Sequence, residues 1–130
     1  MTASTRSVTW LRIAVVYFVV AVTLGIVMGA SGDHSLMPVH AHINLLGWVS
    51  MTLFGLIGHV YPATTRGRLA DVQFWLFNLS VPVLLAMLTA LLRGHKELEP
   101  LLAVGSVVTG IAVLLFAYNV LTGVKAPAAA

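Results

Sequence analysis

Apolar residues fall into four long runs along this chain, and the polar residues collect almost entirely between them. The runs extend from about Trp10 to Ala30, Val39 to Tyr61, Val72 to Leu92 and Leu101 to Leu121. Each matches the roughly 20 residues a helix needs to cross the hydrocarbon core of a bilayer. The breaks carry turn residues: Ser31-Gly32-Asp33, Pro62 through Gly67, Arg93-Gly94 and Glu99-Pro100. The pattern predicts an all-α membrane protein of four transmembrane helices, with residues 1–130 as one domain. No linker, internal repeat or low-complexity segment interrupts it, apart from a short Ala-Pro tail.

Composition excludes the alternatives. With 59% hydrophobic and 8% charged residues and a mean hydropathy of +0.99, the chain has too little charge to cover a water-facing surface. The absence of cysteine removes disulfides, iron–sulfur clusters, thiolate metal sites and covalent c-type haem attachment. A net charge of +3 raises the question of nucleic acid, but the basic residues mark segment ends and form no patch or stripe. They fix topology instead. Arg6, Arg12, Arg66, Arg68 and Lys125 fall on one side, and Arg93 and Lys96 on the other beside Asp33, Glu97 and Glu99. That asymmetry predicts both termini inside (N-in, C-in), and the expected location is the cell's inner (cytoplasmic) membrane, crossed several times. The first span resembles a signal peptide, but its apolar run is long for one, so it is expected to stay as a helix.

Histidines carry the candidate chemistry, because an ionisable group at membrane depth asks for a reason. His40 and His42 open the second span in Pro38-Val39-His40-Ala41-His42-Ile43-Asn44. Helical residues two apart sit about 200° apart around the axis. The two imidazoles therefore point to opposite sides and cannot share one ion, but they can serve two centres. Asn44, Gly47, Met51, Gly55 and Gly58 follow on the His40 side, and Leu45, Leu46, Val49, Leu53 and Leu56 on the His42 side. A glycine-lined stripe admits either a flat macrocycle or another helix. Histidine above such a stripe suits axial ligation of haem iron. The plainer reading is a polar group hydrogen-bonded to water or a headgroup.

A wider pattern adds to this: His40-Ala41-His42, Gly47, Gly55, His59 and the closing Tyr61-Pro62. Over the segment 38–62 the chain resembles the tenth transmembrane helix of the haem–copper oxidase subunit I family. That helix carries H-x-H and, at the same spacing, a further H-x-aromatic-Pro ending. The resemblance implies that His40 matches the ligand of the high-spin haem and His42 that of the low-spin haem, with His59 near the far end as a non-ligand. The departures are as telling. Family members have twelve helices in three arcs of four, and this chain has one arc's worth. The histidine pair of their copper site has no counterpart here, so copper is not expected and the chain is not read as a complete oxidase.

Resemblance to one arc of three implies a homotrimer, in which His40 of one subunit and His42 of its neighbour face the same haem b. The expectation is an electron-transfer cytochrome with bis-histidine iron, exchanging electrons with a quinol or a small redox protein. Two alternatives stay open: a haem site with one vacant position that binds O2, NO or CO, and a cofactor-free structural or assembly protein. Gly25-x-x-x-Gly29 offers a further close-packing surface. His34 beside Asp33 could reach a haem propionate but reads first as a solvated loop residue, and His95 reads as surface. Trp48, Trp75, Tyr61 and Tyr118 fit packing or interface anchoring. Asn78 and Asn119 are expected to bond from helix to helix.

Overall fold

A computed structural model describes residues 2–125. The described residues form helices and their connections, with no strand among them. Four helices are each long and apolar enough to cross a membrane: α1 (Ala3–Ser31), α2 (Met37–Val60), α3 (Arg68–Leu92) and α4 (Glu99–Gly123). Short 3-10 turns at Pro62–Thr65 and Lys96–Leu98 sit in the second and third connections.

The largest departure from the hydrophobic pattern is the start of α1, seven residues ahead of Trp10. Residues 3–9 are mostly polar, so hydropathy alone cannot see them as helix. The Thr2 side chain caps the helix by accepting from the Thr5 backbone N–H at 3.2 Å. At the other end Gly32 adopts φ 72°, a left-handed conformation that suits glycine, and its N–H bonds Met28 to close the last turn. Pro38 stands in the first turn of α2, where its missing N–H costs nothing. Pro62 follows the last residue after α2, a position that favours ending the helix.

Helix α2 is not uniform. Ile43–Ser50 forms a π-helical stretch between two α-helical parts. The Ser50 hydroxyl donates to the Leu45 carbonyl, five residues back, at 2.7 Å. Runs of this kind are rare and concentrate near functional sites.

Packing pairs α1 with α2 and α3 with α4. Trp10 anchors the core: its ring meets those of Phe54, Phe74 and Phe77 at centroid distances of 5.2, 4.8 and 5.9 Å. Phe116 of α4 joins through Phe54 at 4.1 Å. Helices α3 and α4 are tied by a buried bond from the Thr109 hydroxyl to that of Ser80, 2.9 Å long. Asn78 bonds the Phe74 carbonyl of its own helix at 2.8 Å, and the Asn119 amide nitrogen is buried without a partner. Neither makes the cross-helix bond its sequence position suggests; hydroxyls, which fit a closer helix contact, make it instead. Outward surfaces stay apolar, with Val16, Ile26, Leu79, Leu114 and Leu121 all exposed. That is the outer face a lipid-spanning bundle needs.

The bundle has two distinct ends. At the terminal end, the start of α1, the 62–65 turn and the end of α4 meet. Arg6 is buried there and donates to the Thr65 carbonyl and the Asp71 carboxylate, while Thr64 lies against Gly123. The histidine end holds the 32–36 and 93–98 connections and the start of α2.

Candidate functional site

Each histidine of the H-x-H pair is held by a backbone carbonyl, and each by a different part of the protein. His42 Nδ1 lies 2.7 Å from the carbonyl of Pro38, one turn earlier in α2. A carbonyl only accepts, so Nδ1 carries the proton and Nε2 keeps its lone pair. His42 is exposed and lines an apolar groove of about 620 Å³ with Leu46 of α2, Leu84 of α3 and Thr109, Gly110 and Leu114 of α4. That volume falls in the range of small-molecule and cofactor sites.

His40 points the other way, toward α1. Its Nδ1 lies 3.1 Å from the Ala21 carbonyl, which fixes the same tautomer by the same reasoning. Here Nε2 has a partner. The Asn44 amide nitrogen lies 3.3 Å from it and 3.0 Å from the His40 carbonyl oxygen. The carbonyl identifies the donor side of the amide, because the opposite flip would set oxygen against oxygen. Gly25 makes room for the ring: a Cβ there would stand 3.0 Å from His40 Cε1. The opposite-facing geometry expected from helical spacing is present.

The glycine stripe is also present, and helix α1 fills it. A Cβ on Gly47 would collide with the Tyr17 ring, and one on Gly55 would lie 2.9 Å from Leu11 Cγ and 3.0 Å from the Ser7 carbonyl. Gly58 receives Thr65 and Ser7. Met51 is fully buried. Of the two occupants that such a stripe admits, a helix occupies this one. Asn44, Gly47, Met51 and Gly55 therefore line the α1–α2 seam, while the space beside His42 opens toward α4. Gly25 of the Gly25-x-x-x-Gly29 pair packs on His40, and a Cβ on Gly29 would meet nothing within 4 Å among the described residues.

The remaining histidines are separate from this pair. His34 Nδ1 is 3.0 Å from the Gly32 carbonyl in the exposed connection. His95 bonds Glu97 at 3.0 Å, and His59 is exposed near the end of α2. Among the described residues no three His, Cys, Asp or Glu side chains converge as a metal site. A porphyrin brings four nitrogen donors of its own and asks the protein for only one or two more.

Sequence reasoning missed Tyr17, the Ser80–Thr109 bond and the Arg6–Asp71 pair. The last left a trace. Asp71 is the one acidic residue between Asp33 and Glu97, at the start of a span on the basic side, where a lone carboxylate calls for a cationic partner.

These features define a four-helix transmembrane-type bundle with one histidine committed within the fold and one beside an open apolar groove. Comparison with known protein families, with curated proteins and with solved structures finds no match.

Proposed function

We propose that this protein is a haem b-binding integral membrane protein that transfers electrons, with His42 as an axial ligand. The observation that carries the reading is the state of His42. Its Nδ1–H is donated to the Pro38 carbonyl, its Nε2 lone pair is free, and an apolar groove adjoins it. Histidine ligands to metals are commonly held in this way, by a carbonyl that fixes the ring and its tautomer. The resemblance of 38–62 to the H-x-H helix of haem–copper oxidase subunit I supports the same assignment. Bound haem would supply a one-electron iron couple in a low-dielectric site.

In the leading form of this proposal the second axial ligand is His40 of a neighbouring copy, in a closed homotrimer that imitates the three arcs of the oxidase fold. The opposite-facing imidazoles support it. With both termini inside, as the basic residues favour, the haem lies toward the outer side of the cytoplasmic membrane, where a quinol or a small redox protein exchanges electrons. A second reading, a five-coordinate haem open to O2, NO or CO, is favoured by one specific observation. Both ring nitrogens of His40 already have partners within the chain.

The test is the absorption spectrum of detergent-purified protein, oxidised and reduced, before and after carbon monoxide. A low-spin spectrum lost in His42→Ala, turned high-spin in His40→Ala and unresponsive to carbon monoxide supports the bis-histidine trimer. A carbon monoxide complex that survives His40→Ala supports the open site. A colourless protein overturns the haem reading and leaves a structural or assembly role.

A further inference from the structure

We propose that the apolar groove between α1 and α3 binds the ring of a quinone or quinol near the centre of the bilayer, with Tyr17 as donor and Asn78 as acceptor. The groove encloses about 310 Å³, at the lower end of the range for small-molecule sites. It is separate from the groove beside His42: Ile43 lines this one and its chain neighbour His42 the other. Helix α1 contributes Tyr17, and α3 contributes Pro82, Leu85, Ala86 and Thr89. Thr89, toward the histidine end, is satisfied within its helix, its hydroxyl donating to the Leu85 carbonyl at 2.7 Å. The polar groups at the deeper end are not. Tyr17 is the middle residue of α1. Its ring packs on Gly47, which holds it in place, and no described residue bonds its hydroxyl. In α3, Pro82 has no N–H to give the carbonyl of Asn78 one turn earlier. The Asn78 side chain donates its amide to the Phe74 carbonyl at 2.8 Å, and no described residue bonds its oxygen. Residues 78, 82, 85 and 89 fall on one helical face, so Asn78 continues the α3 wall of the groove one turn deeper.

A donor and an acceptor from two helices thus border one apolar groove at a depth where unsatisfied polar groups are costly. Depth selects the occupant. Phospholipid and sterol heads stay at the interface. An acyl chain reaches the bilayer centre but offers neither donor nor acceptor. A quinone ring is neutral, enters hydrocarbon and presents a carbonyl that accepts from the phenol. Its reduced form also carries a hydroxyl that donates to an Asn78 oxygen. The haem reading above bears only on where the electrons of a bound quinol go; binding stands apart from it.

The experiment titrates a tritiated para-benzoquinone with a decyl tail into nanodiscs carrying the purified protein, with empty discs as the partition blank. Saturable binding above the blank is expected, and decane should not displace it. Tyr17→Phe keeps the ring on Gly47 and removes one net hydrogen bond, so binding should weaken roughly fivefold. Ala86→Leu fills the groove from an exposed position and should weaken it further. Binding unchanged in Tyr17→Phe, or displaced by decane, makes the groove a seat for a lipid tail and overturns the proposal. Wild-type protein without saturable binding overturns it too. Both results are read in colourless and in haem-loaded protein alike, so a failure here is distinct from a failure of the haem reading. Should the variants not fold, an azido derivative of the same quinone decides on wild type. Cross-links in the segments around Tyr17 and Pro82 support the site, and label found only elsewhere ends it.

Discussion

The two ends of the bundle solve opposite problems with similar materials. At the terminal end a guanidinium is buried to 1% exposure and meets a carbonyl and a carboxylate. One turn further in lies the Trp10 aromatic cluster, and Gly58 and Gly123 receive threonine side chains from the 62–65 turn. Charge, ring packing and backbone contact all close the same end. At the histidine end, His34, His40 and His42 each lean on a backbone carbonyl, α2 loosens into π geometry, and apolar grooves border Ile43 and Leu46. One end is built to hold the helices together, and the other leaves His42 exposed beside an open apolar groove.

The strongest way to break this contrast is Trp10→Ala. Removing a fully buried indole that touches three phenylalanines should lower stability by about 3–5 kcal/mol. Trp75→Ala, at 60% exposure, should change it by less than about 0.5 kcal/mol. Thermal unfolding in detergent reads both. Equal losses would mean that the terminal end does not anchor the fold.

Asp71→Asn comes next. It leaves Arg6 buried with its charge uncompensated, which in a fully buried pair costs about 3–5 kcal/mol. The Asp71 side chain is 48% exposed, so solvent screens part of the loss and about 2 kcal/mol is expected. A melting temperature indistinguishable from wild type would show that Arg6 is held by the Thr65 carbonyl alone.

How far these features were legible in the sequence follows the same division. Four spans, their breaks and the opposite-facing histidines could be read directly, because hydropathy and helical periodicity are local. The stripe of Gly47, Met51, Gly55 and Gly58 was legible as a stripe. That α1 fills it was not, because the partner of a small-residue face depends on which helix packs there. The π stretch left no composition signal. Arg6 read as a topology marker, and only the fold brings it to Asp71, 65 residues away. The groove beside His42 takes Thr109, Gly110 and Leu114 from a helix whose apolar pattern points to nothing in particular.

The seam between the two ends can be probed at its glycines. Gly47→Ala places a methyl group against the Tyr17 ring and should cost about 1–3 kcal/mol through overpacking. Gly110→Ala meets nothing within 4 Å and should be neutral or slightly stabilising, since alanine favours helix. A harmless Gly47→Ala would mean that Tyr17 has room to swing aside. The seam would then be looser than its close approach suggests.

The smallest effect concerns acid, and it belongs to the connections at the histidine end. The Asp33 carboxylate accepts from the backbone N–H of Ser35 at 2.9 Å. That bond, with help from the Ser35 side chain and the charge of Arg93, holds its pKa below the usual value. Glu97 is lowered too, first by its own backbone N–H and then by His95. A carboxylate whose folded pKa is depressed stabilises its surroundings above the unfolded value, about 4. That contribution disappears as pH falls through the lower folded value. Both groups are fully solvated, so the change should stay local. The protection of the Ser35 amide against exchange, relative to the unfolded chain at the same pH, should be constant from pH 7 to about 5 and fall only below about 4, while the melting of the four helices stays unchanged. Protection that is already lost between pH 7 and 5 would assign control of this connection to a group other than Asp33.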